Sequence, residues 1–330
     1  MFKKNHLVVL CTILLLSACN ESSDSDAQTS TWPDEEITMV VPFPTGGTAD
    51  RQARALASAM GEDLGVRILV DNREGGASAI GATSHFQQDS NDGTYFIYNS
   101  HPHFEATILR GASYEFEDFD YMGIIHESPI AIWVPSDSEY QTLEDLLLDI
   151  EQNPNALSYS MISSSWSDTS IKILTNELGL EVRDIPYDGG AEIRTALLGG
   201  EVDFMASDVE GTIAGGGDDL RALAVFSDEP YEQRPEIPLI NEELDEMGIT
   251  SEMPVISNRR FAQVKASFRE EYPERYEILA EAVESAAKSE EFNEWGETQD
   301  MYFTWITEED THVLLEETFQ LMNEYRNLFE

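Results

Sequence analysis

The stretch of the sequence most able to do chemistry is a glycine loop at residues 42–50, which reads Pro-Phe-Pro-Thr-Gly-Gly-Thr-Ala-Asp. It stands between an apolar run at 37–41, typical of a strand, and a helical pattern over 51–64. The start of a helix presents unpaired backbone N–H groups and a partial positive charge, and glycine lets a ligand come close to them. The loop can therefore hold an anion without a basic side chain. A plain turn before a helix is the alternative, because short glycine motifs are common.

A second loop of this kind lies at residues 162–170, which are rich in serine. It follows an apolar run at 157–161 and opens a helical pattern over 171–178. Hydroxyl side chains favour helix starts, where backbone N–H groups can bind an anion. The alternative is a capping loop without a ligand.

Both loops belong to a repeated alternation of strand and helix patterns, which favours a parallel sheet with helices on both faces. In such sheets ligands bind beyond the carboxyl ends of the strands, and Asn99 and Ser100 also follow a predicted strand directly. The predicted strands are 37–41, 66–70, 94–98, 121–125, 129–134, 157–161, 182–187, 202–206 and 220–225. The predicted helices are 51–64, 79–86, 142–153, 171–178, 192–198, 262–289 and 308–328.

The N-terminal residues have the pattern of a bacterial lipoprotein leader. Two lysines precede an apolar stretch at 7–16 that is too short to span a membrane. The Leu-Ser-Ala-Cys that ends at Cys19 resembles a lipobox, which implies cleavage before this cysteine and a lipid anchor on its sulfur. We therefore expect a signal peptide at 1–18 and a flexible tether at 19–34. An ordinary secretory signal with a chance cysteine is the alternative.

The chain is strongly acidic, with 19 Lys and Arg against 64 Asp and Glu in 330 residues and a net charge of −45. This charge repels nucleic acids and anionic membrane surfaces, so we expect no nucleic-acid partner. The acidic residues are spread along the whole chain, which is typical of halophilic proteins whose surface charges are screened by salt. The acidic surface of a protein from a low-salt environment is the alternative.

The sequence has no recognisable catalytic or metal-binding motif. The histidines after the leader lack the His-x-x-x-His spacing of a helical zinc site. The one close pair, His101 and His103, is interpreted as loop histidines at a cleft rim. No Gly-x-Ser-x-Gly nucleophile turn or Gly-Lys-Ser/Thr phosphate loop is present. We therefore expect no enzyme and no bound metal or cofactor.

Several stretches, in the same order along the chain, resemble one family, the tripartite tricarboxylate transporter substrate-binding proteins of the TctC or Bug type. Each stretch alone is a weak signal, but together they cover most of residues 37–240. They include Val-Val-Pro-Phe-Pro-Thr-Gly-Gly-Thr-Ala-Asp at 40–50, Val-Asp-Asn-Arg at 70–73, Asp-Gly at 92–93, Asn-Ser at 99–100, Asn-Pro at 153–154, Pro-Tyr-Asp-Gly-Gly at 186–190, Leu-Leu-Gly-Gly-Glu-Val-Asp at 197–203 and Leu-Arg-Ala-Leu-Ala-Val at 220–225.

This resemblance implies an α/β fold of the periplasmic binding protein-like type II, in which two α/β lobes joined by a hinge close on a ligand cleft. It places lobe 1 at 35–125 plus 227–330 and lobe 2 at 126–226. It implies a monomeric receptor, on the periplasmic or cell-surface face of the membrane, for a small carboxylate such as a di- or tricarboxylate. The receptor would deliver this ligand to integral membrane transporter subunits. The alternatives are a ligand-sensing subunit of a membrane signalling protein and an enzyme acting on a small carboxylate.

The resemblance also implies which residues contact the ligand, mainly through backbone N–H groups, hydroxyls and bridging water, with little or no arginine. Asp50 matches an acidic position that we interpret as capping the helix, because an acid beside an anion would repel it. The implied contacts are Phe43, Thr45, Gly46, Gly47, Thr48, Ala49, Asn99, Ser100, Ser163, Ser164, Ser165, Thr169, Tyr187, Gly189, Gly190, Ser207 and Asp208.

Three places depart from the family pattern. Asp168 and Thr169 stand where the family often has a Ser-His pair, Asp188 stands where it often has a lysine, and His101 where it often has a small residue. One hypothesis is that Asp168 or Asp188 pairs with an amino group of a zwitterionic ligand. The other is that both are surface acids of a salt-adapted protein.

Overall fold

The computed structural model describes residues 32–76, 78–163, 165–187 and 189–328, without the side chain of Asp218. The predicted signal peptide, the predicted lipid anchor at Cys19 and most of the predicted tether lie outside the described residues, as do Ser164 and Asp188. Within the described part, no helix is both long and apolar enough to span a membrane.

The strands of the described residues form one mixed sheet. They are β1 (Ile37–Val41), β2 (Ile68–Asn72), β3 (Tyr95–His101), β4 (Phe119–Pro135), β5 (Ser158–Ile162), β6 (Arg183–Tyr187), β7 (Phe204–Asp208), β8 (Leu220–Val225), β9 (Ser257–Lys265) and β10 (Phe303–Ile306). The order is β2-β1-β3-β9-β4-β7-β5-β6, and both β8 and β10 pair with β4. Strands β1, β2 and β3 are parallel to one another, as are β5, β6 and β7.

Strand β4 joins two halves of this sheet. Its first part pairs with β9 and β10, and its last part, from Ile130, pairs with β7 and β8. We call β1, β2, β3, β9 and β10 the first half, and β5 to β8 the second half. The prediction of two strands at 121–125 and 129–134 was wrong, because His126 and Glu127 between them stay paired with β9 and the strand runs through.

The helices of the described residues cover the sheet. They are α1 (Thr48–Leu64), α2 (Ala79–Gln88), α3 (His103–Leu109), α4 (Leu143–Gln152), α5 (Trp166–Leu178), α6 (Gly190–Leu198), α7 (Val209–Ala214), α8 (Ile240–Glu246), α9 (Ala266–Glu271), α10 (Pro273–Lys288), α11 (Glu290–Glu297) and α12 (Glu308–Glu324). Helices α1 and α5 begin earlier than predicted, because Gly47 and Ser165 take the extended backbone of an N-cap. Both candidate loops therefore reach into the first turn of a helix.

The helix predicted over 262–289 was wrong at its start. Residues 257–265 form β9, which pairs with β3 on one edge and with β4 on the other, and helices follow only from Ala266. Pairing on both edges outweighs local propensity at such a central position. As a result, Arg259 and Arg260 lie beside the carboxyl end of β3.

Helix α4 shows how the pattern of the sequence builds the core. The hydroxyl of Thr142 accepts the N–H of Asp145 at 3.2 Å, and the carboxylate of Asp145 accepts the N–H of Thr142 at 3.0 Å, so the predicted N-cap is confirmed. Each fully buried aliphatic side chain contributes about 1.5–3 kcal/mol to folding. The apolar face of α4 that is buried against the second half of the sheet consists of Leu143, Leu146, Leu147 and Ile150.

Candidate functional site

Asp50 fixes the shape of the first loop. Its buried carboxylate accepts the N–H of Gly46 at 2.8 Å and lies 2.8 Å from Nη2 of Arg54. Burial alone would raise the pKa of Asp50, but hydrogen bonds from Arg54 and from the Gly46 N–H hold this pKa below its ordinary value. The N-cap of α1 is Gly47, so Asp50 supports the helix start from the third helical position, and its exclusion from the ligand contacts stays a prediction.

The loop is also tied to the neighbouring strand. Asn72, the last residue of β2, donates from Nδ2 to the carbonyl of Phe43 at 3.1 Å and accepts from Nη2 of Arg54 at 2.9 Å. Gly46 has a φ of +83°, which a side chain would strain, and no atom lies within 4 Å of the place a Cβ would take. The backbone of the loop is therefore fixed and open at the same time.

The open donors of this loop belong to the first turn of α1. The N–H groups of Gly46 and Gly47 are already bonded within the loop. The first bond of the helix runs from the N–H of Arg51 to the carbonyl of Gly47 at 3.0 Å. The N–H groups of Thr48 and Ala49 come before it, so they have no acceptor within the helix and can bind an anion.

Asn99, Ser100 and His101 lie within β3 and not in a loop after it. They are fully buried, because β9 pairs with β3 as far as His101. The hydroxyl of Ser100 accepts a hydrogen bond from Nη1 of Arg260 at 2.6 Å. Nδ2 of Asn99 is buried and has no hydrogen-bond partner in the described part of the chain.

Arg260 is the residue of this region that sequence reasoning missed. Its side chain is buried, donates from Nε to Oε1 of Gln52 at 3.0 Å, and lies with its guanidinium carbon 5.9 Å from the ring centre of Phe43. We call Phe43, Gln52, Ser100, His103 and Arg260 the Arg260 cluster. The resemblance implied a cleft with little or no arginine, whereas the structure places one beside the first loop. Two adjacent arginines in a chain with 19 basic residues were the signal that could have revealed it.

Ser78 is a second residue that the sequence did not single out. It is the N-cap of α2, takes a φ of +79°, and has a buried hydroxyl without a hydrogen-bond partner among the described residues. No role was predicted for the start of this helix.

His103 is held as a neutral imidazole. Its ring meets the ring of Phe43 edge-on, with centres 5.5 Å apart. Burial, together with the charge of Arg260, lowers the pKa of His103 to about 3. Its Nδ1 is buried without a hydrogen-bond partner in the described part of the protein. Near neutral pH this histidine can therefore share a hydrogen bond with a ligand but adds no positive charge.

His101 links the end of β3 to the second candidate loop. Its Nδ1 lies 2.9 Å from Oε1 of Glu105, and both side chains are fully buried. Its ring centre lies 5.4 Å from that of Trp166, the first residue of α5. The interpretation of His101 as a loop histidine at a cleft rim was wrong, because His101 pairs with Arg259 of β9 and is the last residue of β3.

The hydroxyls of the second loop mainly support the start of α5. Ser165 is the N-cap and accepts the N–H of Ser167 at 3.2 Å, while Thr169 donates to the carbonyl of Ser165 at 2.9 Å. The hydroxyl of Ser163 lies 3.8 Å from Sδ of Met161. The capping alternative thus describes much of this loop, and its ligand contacts stay a prediction.

Asp168 is a buried acid with its own partners. Its carboxylate accepts from Nζ of Lys172 at 2.9 Å and from the hydroxyl of Tyr159 at 3.0 Å. Burial raises the pKa of Asp168 above its ordinary value, although the hydrogen bonds from Lys172 and Tyr159 act in the opposite direction. The interpretation of Asp168 as a surface acid was wrong, because the residue is buried. Its carboxylate is already paired with the ammonium group of Lys172, so a ligand ammonium group is not required to neutralise it.

The last two candidate regions lie on the second half of the sheet. Tyr187 ends β6, Gly189 is the N-cap of α6, and space is open where a Cβ would stand at Gly189 and Gly190. Ser207 and Asp208 end β7, and Asp208 caps α7. Among described residues, no hydrogen bond, ion pair or ring contact joins these regions to the Arg260 cluster. The first two regions are thus brought together, the third reaches β3 through the contact of Trp166 with His101, and the ligand contacts of the last three regions stay a prediction.

The fold and the site define a class: a two-lobed solute-binding protein, whose candidate ligand groups lie at strand ends and helix starts. No group of three His, Cys, Asp or Glu side chains is placed to hold a metal ion within the described ranges. The sequence profile of the tripartite tricarboxylate transporter family receptors, TctC, matches residues 52–319. The chain belongs to this receptor family.

Individual relatives agree with this assignment. The UPF0065 protein in the TAR-I ttuE-ttuC' intergenic region of Agrobacterium vitis is 26% identical over 239 residues, which are 72% of this chain and 67% of the relative. The structure of R. palustris Rpa4515 with adipate has a TM-score of 0.75 at 21% identity and covers 90% of this chain and 98% of its own. MatC from Rhodopseudomonas palustris with bound malate has a TM-score of 0.71 at 20% identity and covers 90% of this chain and 100% of its own. The predicted fold of the periplasmic binding protein-like type is confirmed.

Proposed function

We propose that this protein is an extracytoplasmic receptor that captures a small carboxylate. The observation that supports this most is a set of buried nitrogen atoms without hydrogen-bond partners among the described residues: Nδ2 of Asn99, Nδ1 of His103 and Nε1 of Trp166. A buried donor left unpaired costs about 1–3 kcal/mol, so such groups are normally satisfied. These three lie on β3, α3 and α5, the elements that meet at the end of β3, where an oxygen-rich ligand would satisfy them.

The negative charge of the ligand follows from the groups beside these atoms. The open N–H groups of Thr48 and Ala49 at the start of α1 favour an anion. Arg260 adds a full positive charge in the same region. Family relatives with adipate and with malate, which are both dicarboxylates, support a carboxylate as the anion. The role we propose needs binding alone, without a catalytic group.

Ligand capture would proceed by closure of two lobes. We propose that lobe 1, at 35–125 plus 227–330, contains the first half of the sheet, and that lobe 2, at 126–226, contains the second half. Closure is favoured when a ligand makes contacts in the closed form that it lacks in the open form. The contact of His101 with Trp166 joins β3 to α5 across the two predicted lobes, so a ligand bound beside it would touch both lobes.

Delivery and anchoring complete the proposal. We propose that residues 1–18 are removed, that lipid on Cys19 anchors a monomeric receptor outside the cytoplasmic membrane, and that the ligand passes to integral membrane transporter subunits. Membership of the transporter receptor family supports transport over signalling. Replacing Cys19 with serine should move the protein from the membrane fraction to the soluble fraction. Loss of the transporter subunits should abolish uptake of the ligand while the receptor still binds it.

Thermal unfolding against a panel of carboxylates tests the binding role. The panel contains adipate, malate, citrate and hexanoate, with glucose as an uncharged control, at high salt because the chain has a net charge of −45. A ligand at about 100 times its Kd stabilises a protein by about 2.7 kcal/mol. We expect a clear rise in Tm with at least one carboxylate and none with glucose. No rise with any carboxylate would contradict the proposal.

A further inference from the structure

Of the two buried arginines of the described chain, one has a carboxylate partner and the other has none. Nη2 of Arg259 lies 2.7 Å from Oε1 of Glu127. Arg260, the next residue, is 9% exposed and has no ion pair with any described acidic residue. The chain carries 64 acidic residues, so the lack of a partner is not a lack of available acids. A buried charge is costly unless it is paired.

We propose that Arg260 is a specificity-determining anion subsite, which binds the second anionic group of a ligand whose first carboxylate lies on the start of α1. The receptor would then prefer ligands with two anionic groups over ligands with one. This inference rests on the proposed function and specifies its ligand class.

The hydrogen bonds of Arg260 use only part of its guanidinium group. Nε donates to Gln52, and Nη1 donates to Ser100 and, at 3.4 Å, to Oδ1 of Asn258. All three acceptors are neutral, so they orient the guanidinium without cancelling its charge. Nη2 has no hydrogen bond to a described residue, and an arginine fork is well suited to a carboxylate.

The position of Gln52 sets the distance between the two anion sites. Gln52 lies four residues after Thr48 on α1, which is about one helical turn or roughly 6 Å along the axis. Arg260 therefore bonds to the helix about one turn from the open N–H groups of Thr48 and Ala49. A short linear diacid has its carboxylates at a comparable separation.

Within the Arg260 cluster, Arg260 is the side chain that carries a positive charge. His103 is neutral near pH 7, as described above, and Phe43 offers its ring. The nearest other basic group on the strand, Arg259, is paired with Glu127. Selectivity for a second anionic group would thus depend on one side chain, which makes it accessible to mutation.

Titration calorimetry with diacid and monoacid pairs of equal chain length tests this inference. The probes are adipate with hexanoate and succinate with butyrate, and the proteins are wild type, Arg260→Gln, Arg260→Lys and Arg67→Gln. Arg67 is the matched control, because its side chain is 76% exposed and its loss removes the same charge outside the cluster. Charge-assisted hydrogen bonds contribute about 1.5–3 kcal/mol, so we expect Arg260→Gln to weaken diacid binding roughly 10- to 100-fold. Monoacid binding should change little, Arg260→Lys should restore part of the loss, and Arg67→Gln should match wild type.

Several outcomes would overturn the inference. If the wild-type protein binds the monoacid as tightly as the diacid, it has no second anion subsite. This comparison uses no variant, so it does not depend on whether a variant folds. An equal loss of both ligands in Arg260→Gln and Arg260→Lys would indicate a structural role alone. If diacids bind wild type and Arg260→Gln equally, the inference fails while the proposed function stands. If wild type binds no carboxylate, both fail.

Discussion

Oε2 of Glu210 on α7 lies 2.8 Å from Nε2 of His126 on β4, and both side chains are buried. His126 lies on the part of β4 that pairs with β9 and β10, whereas α7 follows β7 in the second half of the sheet. The same carboxylate also accepts the hydroxyl of Tyr231 and the N–H of Tyr302. A single acid thus holds together both halves of the sheet and the segment that follows β8.

Replacing Glu210 with alanine should lower the free energy of unfolding by about 2–3 kcal/mol, because buried donors left without an acceptor are costly. Urea unfolding measures the change. Glu232→Ala is the matched control, since Glu232 is an exposed acid that lines the same surface pocket as Glu210. A loss no larger than that of the control would show that the three contacts do not stabilise the fold.

The hydrogen bonds of the Asp50 carboxylate with Gly46 and Arg54 should make the free energy of unfolding depend on pH in the acidic range. Because the folded-state pKa of Asp50 is lowered, its stabilising contribution is present above the ordinary pKa of an aspartate, about 3.9, and is lost as the pH falls through the lowered value. Asp50→Asn removes this contribution. The difference in unfolding free energy between wild type and Asp50→Asn should therefore be largest above about pH 5 and shrink below pH 4. A difference that stays constant with pH would contradict the role of the charged carboxylate.

A side chain at residue 123 should destabilise the fold. Gly123 has a φ of +142° at a register shift of β4, and a Cβ there would overlap Cη2 of Trp305. We expect Gly123→Ala to destabilise the fold by about 1–3 kcal/mol, because the indole must be displaced. Gly248→Ala is the control, since Gly248 also has a positive φ, +76°, but no atom lies within 4 Å of its Cβ position. Equal losses of Tm in the two variants would show that the contact with Trp305 is unimportant.

Trp166 should report ligand binding. Its indole packs against His101 at the end of β3, and its Nε1 has no hydrogen-bond partner among described residues. A ligand that enters this region should change the tryptophan emission, and Trp166→Phe should remove most of that change. Trp295→Phe is the control, because Trp295 stacks on Phe292 and Phe303 instead. An unchanged signal in Trp166→Phe would separate this side chain from the ligand site.

The sequence predicted those features that depend on neighbouring residues. Strands β1 and β8 have the predicted bounds, and Thr142 caps α4, because apolar patterns and capping residues act locally. The resemblance to a receptor family supplied the overall fold, which local patterns alone left open.

Features that depend on distant pairing escaped prediction. Arg260 meets Ser100 across 160 positions of sequence, and only the insertion of β9 between β3 and β4 brings them together. Burial of His101 has the same origin. Asp168 looked like one more surface acid because the sequence does not show that Tyr159 and Lys172 point to it.

The proposed ligand is held by the N–H groups at the start of α1, and two substitutions at Thr48 test this directly. Thr48→Pro removes the first N–H of the helix at a position where proline is well tolerated, whereas Thr48→Ala keeps the N–H and removes the hydroxyl. The measurement is the calorimetric affinity of both variants for the carboxylate that stabilises wild type most. We predict that Thr48→Pro binds roughly 10-fold or more weakly than Thr48→Ala while both unfold at similar temperatures. Equal affinities of the two variants would contradict the central claim.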